Sequence, residues 1–400
     1  MSQASELDRL FDQIDRTPYG PSERSLVETA LTRAREAGDE PREFEAMMRR
    51  TNSAKMSGDT AAFLESLRWC LDRHAASPSR FPARLNENID LAWQLKWLPG
   101  ARVADPGASE QEIDGALRSM ERFYEEHDLG MAGVLTARFR TDWAMGRLDA
   151  AERWRTRIAE TPRDAYSHCD ACIRSEVAAF LFDTDRAAEG LAATVDLVAN
   201  GHECADEPAL ALARALVPML RAGRCDEARL WHLRSYESCR EEPTQLRAIA
   251  SQLEHCALTG SLERGFALLD RHLPWLTLDP SDVATQLRAM RAVALFLVVA
   301  ESRGQATRKV TGAEALAAPS LLGASLGPTA VAPLRTAVRE WCAQVAARFD
   351  ARNGNERQAR HVAAIDALAR ESYPGAVGAD ATLTRALANR EPTPPPPNAR

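Results

Sequence analysis

Along this chain apolar residues come back every three or four positions, and almost no stretch alternates apolar with polar at period two. That period lays an apolar stripe along one side of a 3.6-residue helix, so the pattern predicts an all-α fold. Gly, Asp or Pro punctuates the chain at helix length, where a helix must stop. The pattern predicts helices near 5–16 and 22–37, a hairpin over 41–75, and a pair near 82–98 and 109–127 joined by LPGARVADPGAS. Hairpins follow near 130–160, 165–200, 206–240 and 243–277, then a long helix near 281–303. ATRKVTGAEALAAPSLLGASLGP reads as an irregular joint, followed by helices near 328–350 and 355–371 and one short helix. The final EPTPPPPNAR reads as a disordered tail of polyproline II character.

The punctuation repeats. SGDTAAFLESL (57–67), MGRLDAAERWR (145–155), FDTDRAAEGLA (182–192), AGRCDEARLWH (222–232) and TGSLERGFALL (259–269) share one plan. A breaker (Gly58, Gly146, Asp183, Gly223 or Gly260) precedes a few polar residues. Five positions after it stands a mostly small residue: Ala151, Ala188, Ala228 or Gly265, with Phe63 the exception. From Gly146 onward the breakers are 37, 40 and 37 residues apart, and Gly304 and Gly354 look like further anchors. A glycine there permits the left-handed backbone of a tight turn, and a small residue in the second helix lets two helix backbones approach. One hairpin cannot bury its apolar faces alone, so successive hairpins must stack.

In these residues the chain resembles the tetratricopeptide repeat family, whose helical hairpin carries a Gly turn and a small residue five positions later, matched by Gly146 with Ala151 and Gly223 with Ala228. The resemblance implies a right-handed α-solenoid of stacked antiparallel helical hairpins. It departs from the family in longer repeats, in an irregular closing proline, and in Ala54, Asp142, Ala179, Met219 and Cys256 standing where a large aromatic is usual. The expected organisation is N-terminal helices capping the array over 1–37 and repeats over 38–304. An irregular joint over 305–327, capping helices over 328–390 and the tail over 391–400 complete it.

Charge narrows the partners. Of 50 basic residues only Lys55, Lys96 and Lys309 are lysines, yet 57 carboxylates are interleaved with them and the net charge is −7. Mixed signs on helix faces read as a salt-bridged solvated surface, which argues against nucleic acid. The N-terminus lacks the apolar core of a signal peptide, and AVALFLVVA (292–300) is short of a membrane span. Eight irregularly spaced cysteines read as reduced thiols. The expectation is a cytoplasmic protein with no membrane contact.

Candidate chemistry is sparse. In AYSHCDACIRSE (165–176) the repeat register places Cys169 and Cys172 fourteen and eleven residues before a breaker, in slots the other repeats fill with apolar side chains. That makes them small buried hydrophobes. The alternative is that the hairpin brings His202 and Cys204 back to them, giving the four donors of a closed zinc site. GASLG (323–327) matches a nucleophile elbow in letters, but no strand precedes it, which argues against Ser325 as a nucleophile. HExxH, GxxxxGK[ST] and GxGxxG do not occur. No catalytic residue, metal or cofactor is therefore assigned.

Stacked hairpins line a groove with their first helices, a surface suited to extended peptides. On those helices recur Arg138, Arg140, Arg174, Arg214, Arg247 and Arg291, with Glu254 among them. Facing inward they would select an acidic segment or a C-terminal carboxylate; the alternative is pairing with neighbouring carboxylates at hairpin edges. Some tetratricopeptide repeat proteins hold chaperone tails with a clamp of lysines and asparagines in these helices, and this chain lacks those lysines. The sequence thus reads as a non-enzymatic scaffold, adaptor or regulatory subunit binding a protein or peptide. The alternatives are a peptide- or ligand-sensing regulator of a separate effector, and a zinc or thiol-redox protein.

Overall fold

The computed structural model describes residues 3–277, 282–317 and 329–388. Nineteen α-helices carry almost all regular structure among them, with one antiparallel ribbon pairing Lys309–Val310 with Thr329–Ala330. The fold is all-α. Two compact units form, one from residues up to His168 and one from Cys169 onward, with 282–284 grouped with the first.

The first unit holds α1 (Gln3–Arg16), α2 (Pro21–Glu36), α3 (Glu40–Met56), α4 (Thr60–Ala76), α5 (Leu91–Val103), α6 (Glu110–Glu126), α7 (Ala132–Ala144) and α8 (Leu148–Glu160). Sequence neighbours pack as α3 with α4, α5 with α6 and α7 with α8, while α5 also touches α3 and α7. Phe44, Phe63, Leu67, Leu95, Met120 and Tyr124 interlock in its core. Helix starts are fixed by side chains that accept otherwise unpaired N–H groups. Asp39 accepts from Arg42, Asp59 from Ala62, and Ser109 and Glu112 form a reciprocal capping box.

One predicted helix moves. The element expected at 82–98 begins at Leu91 and runs through Pro99 and Gly100 to Val103, taking up half of the expected loop. The cause is local: Asn86 Oδ1 accepts the Asn88 and Ile89 amides in a turn, and Asp90 then caps the helix by accepting from Ala92.

The second unit holds α9 (Asp170–Asp183), α10 (Ala187–Ala199), α11 (Ala209–Arg221), α12 (Cys225–Cys239), α13 (Leu246–Leu258), α14 (Leu262–His272) and α15 (Val283–Ser302). After these come α16 (Val331–Asn353), α17 (Arg357–Ala363), α18 (Ile365–Leu368) and α19 (Leu383–Ala388). Hairpins α9–α10, α11–α12 and α13–α14 each close on themselves, and their first helices lie in file, α9 on α11 and α11 on α13. Among the described helices α15 alone is long and apolar enough to cross a membrane, with a mean hydropathy of 1.6, but 67% of that window is buried inside the protein. It is a core helix here: its Phe296 ring occupies the space a Cβ on Gly265 would need.

The turns carry the predicted backbone, with a correction. Gly58, Gly146, Gly223, Gly260, Gly304 and Gly354 all have positive φ, but α9 runs through Asp183, and the left-handed residue of that hairpin is Asp185 at φ 60°. The register of this repeat therefore moves by two. The small residue five positions on is Gly190, packed against Phe182 and the Ala178 carbonyl, rather than Ala188. The fourteen-before slot holds Ala171, buried like Phe44, Ala132, Ala209, Leu246 and Met290 at that position in the other repeats. Cys169 and Cys172 leave the core slots.

The described part of the expected joint is folded. Thr311 and Gly312 amides donate to Asp270 Oδ1, and Val310, Ala313 and Leu316 are buried. Residues 318–328, with GASLG and Ser325, and the tail 391–400 lie outside the described residues. The C-terminal segment reaches back over the second unit, where Arg357 pairs with Asp183 and Arg221 with Glu371. From Ser372 to Thr382 the chain is non-helical, with a turn at Gly378–Ala381. Tyr373 donates its amide to the Leu258 carbonyl and Val377 to Ser261 Oγ, while Arg264 donates to the carbonyls of Ala379 and Ala381.

Candidate functional site

Two sets of side chains carry chemistry, and both can be built from helix positions. The first is arginine. In the first unit, Arg138 on α7 donates to Glu121 Oε2 at 2.5 Å and lies over the Trp154 ring, while Arg140 is half-buried two residues along. In the second unit Arg174 bridges Asp170 at 2.7 Å and Asp196 at 3.0 Å, tying α9 to α10 as an edge ion pair. It does not join the others.

Arg214 on α11, Arg247 on α13 and Arg291 on α15 do fall within electrostatic reach of one another, through Arg288. Arg288 grips Glu254 with two nitrogens, each at 2.7 Å, and Arg247 donates to Thr285 Oγ1 at 3.0 Å. Arg214 donates to Ser175 Oγ at 3.1 Å, and Arg291 makes one long bond of 3.5 Å to Gln358 Oε1. Neither Arg214 nor Arg291 has a carboxylate within salt-bridge distance among the described residues. Both are half-buried. Burial pulls the Arg214 guanidinium below its ordinary pKa, and burial with the Arg288 charge pulls Arg291 down to about 10.

From α17, Arg357 and His361 face the same group. Burial first, then the charges of Arg291, Arg357, Arg288 and Arg360, push His361 down to about 3. The opposing carboxylates are Glu176, Glu207, Glu254 and Asp183. Among the described residues, the guanidiniums of Arg214, Arg247, Arg288, Arg291, Arg357 and Arg360 thus lie in electrostatic reach of this face. Sequence reasoning missed Arg288, Arg357 and His361. The signal for Arg288 was its three-residue step from Arg291, which puts both on one helix face. Nothing local marked α17 as returning to this face.

The second set is sulfur. Cys169 is exposed and caps α9, its Sγ accepting the Cys172 amide at 3.2 Å. Cys204, from the loop after α10, brings its Sγ to 3.5 Å from that of Cys172, and all three sulfurs lie within 4.8 Å of one another. The expectation of buried apolar slots is overturned by the register shift, and the hairpin return brings in Cys204. His202 does not join the sulfurs; its Nδ1 sits 3.1 Å from Asp170 Oδ2.

A second titratable cluster, His232, His255 and Cys256, is fully buried, with the two imidazoles stacked at 4.5 Å. Arg264 donates to His232 Nε2 at 2.5 Å, which sets a positive charge beside the very atoms a cation would need. This cluster is core.

Neither family models, curated proteins nor solved structures give a match to this chain.

Proposed function

We propose that this chain is a non-catalytic interaction protein, a right-handed α-solenoid of tetratricopeptide-like hairpins that holds an acidic segment of a partner protein. The binding surface is the face of α11, α13 and α15 bearing Arg214, Arg247, Arg288 and Arg291. The observation that carries this reading is the pair of half-buried guanidiniums, Arg214 and Arg291, that have no carboxylate within salt-bridge distance among the described residues. A partly desolvated charge without a contacting counter-ion is costly to keep, and a partner's carboxylate would relieve that cost with charge-assisted, bidentate bonds. Most of the other arginines have internal partners, so they set the surface rather than read the ligand.

The unit also holds a non-helical stretch of its own chain, residues 373–382, by bonds to that stretch's main chain from the Leu258 carbonyl, Ser261 Oγ and the Arg264 guanidinium. That supports peptide capture as a mode open to these hairpins. A regulatory subunit that reads such a segment to control a separate effector would use the same face.

The test compares two immobilised pools of random twelve-residue peptides, one rich in Asp and Glu and the other with Asn and Gln in their place. The reading expects binding to the acidic pool alone, weakening as salt rises. Equal binding to both pools, or to neither, would remove it.

A further inference from the structure

The sulfurs at the start of α9 ask for a separate explanation, because the repeat does not need them. With the turn at Asp185, Cys169 lies outside the helix core and is exposed, and Cys172 and Cys204 are only partly buried. The other half-buried thiol, Cys225, stands on α12, and Cys70, Cys239, Cys256 and Cys342 are buried in the core. Three cysteines from two segments, with Cys172 and Cys204 separated by 32 residues in sequence, meet at one spot on the surface of a hairpin.

The spacing decides between chemistries. A disulfide needs sulfurs about 2 Å apart. Tetrahedral zinc, with Zn–S of about 2.3 Å, sets its sulfurs roughly 3.8 Å from one another. The Cys172–Cys204 distance of 3.5 Å, with all three sulfurs inside 4.8 Å, excludes a formed disulfide and matches the spacing that the second geometry needs. The surroundings fit as well. Cys169 sits at the N-terminus of a fourteen-residue helix, and the Cys172 amide donates to its sulfur at 3.2 Å. Asp170, next to it, binds both Arg174 Nε at 2.7 Å and His202 Nδ1 at 3.1 Å, holding the Cys204 loop against the helix start. The Cys204 amide donates to the Glu207 carbonyl and fixes that loop from its other side. Outer bonds of this kind orient ligands before a metal arrives.

We propose that Cys169, Cys172 and Cys204 bind one zinc ion as thiolates, closing the open end of the α9–α10 hairpin. Three thiol protons go to solvent as the metal binds, and solvent completes the coordination beside the exposed Cys169. The site joins the first helix of the hairpin to the loop that follows the second. It is independent of the arginine face.

The test uses the full chain, reduced with a phosphine, equilibrated with zinc and passed through a desalting column. The expected result is about one zinc per chain by elemental analysis. At a fixed buffered free zinc concentration, Cys172→Ser and Cys204→Ser should each weaken affinity at least tenfold. Cys225→Ser should keep the wild-type value. Cobalt loaded in place of zinc should give the intense thiolate-to-metal charge-transfer absorption of a sulfur-rich tetrahedral site. That spectrum is read on the wild-type chain, so a variant that fails to fold does not obscure the answer. Wild-type protein that retains no zinc, a cobalt spectrum without charge-transfer bands, or zinc content unchanged in Cys172→Ser would each overturn the site. So would a Cys172–Cys204 disulfide in protein that takes up no metal after reduction.

Discussion

Single side chains set the terms on which this fold exists, and Arg291 is the sharpest case. Its guanidinium is half-buried, is pulled down to about 10 by burial and the Arg288 charge, and among the described residues makes one hydrogen bond, of 3.5 Å to Gln358. Replacing it by Met keeps the packing stem and removes the unpaired charge. Arg291→Met should therefore hold or raise stability, by about 1 kcal/mol in urea unfolding, as substitutions at functional sites often do. A loss of that size would mean that Arg291 serves the fold instead. Histidines set the pH response. Burial pushes His255 down to about 3 and His232 well below 6.5, so both are neutral when folded and gain a proton on unfolding below pH 6.5. Their contribution is full above that value and is lost as pH falls toward 3. For His255 alone the loss amounts to roughly 2 kcal/mol between pH 7.5 and 5. Urea midpoints across that range should fall for the wild-type chain and fall less for His255→Gln; equal slopes would exclude the assignment.

Hairpin elements obey the repeat, and their turns give the direct check. At Asp185 (φ 60°) a β-branched side chain meets the left-handed penalty, whereas glycine does not. Asp185→Val should cost about 1–2 kcal/mol and Asp185→Gly close to nothing; the same pair at Asp183, inside α9, should not show that contrast. In the second helix of a later hairpin, Gly265→Ala forces a methyl into the Phe296 ring and should cost about 1–3 kcal/mol. Thermal melts settle both. Turn glycines were legible in the sequence because their backbone demand is local, and Gly58, Gly146, Gly223 and Gly260 all stand where the pattern put them. Where a repeat turned on aspartate instead, the choice between Asp183 and Asp185 could not be made from punctuation. That two-residue error misplaced Cys169 and Cys172, because a helix face rotates by about half a turn in two residues. The start of α5 was lost for a similar reason: the Asn86 turn and the Asp90 cap are ordinary residues until their partners are known. Contacts set by sequence-distant segments, such as α17 on the arginine face, left no trace in the periodicity.

Over the whole molecule, two helical units divide the chain, and the second is finished by its own C-terminal segment. Leu368 and Tyr373 cover Leu216, Met219, Leu220 and Leu258, and Glu371 anchors the crossing on Arg221. Ending the chain after Arg370 should uncover part of that patch, increase binding of a hydrophobic dye and lower the urea midpoint; a truncated chain as stable as the full one would show the segment to be ornamental. The all-α class and the hairpin order could be read from apolar spacing alone. The acidic-segment reading rests on charges brought together only by the stacking of α11, α13 and α15. It is therefore tested most directly by the affinity of the full chain for an acidic peptide selected from the pool, measured with and without Arg214→Ala and Arg291→Ala together. The account predicts a fall of at least about tenfold, close to the 1.4 kcal/mol of one charge-assisted contact, with the thermal midpoint held or raised. Unchanged affinity in a folded double variant would contradict it.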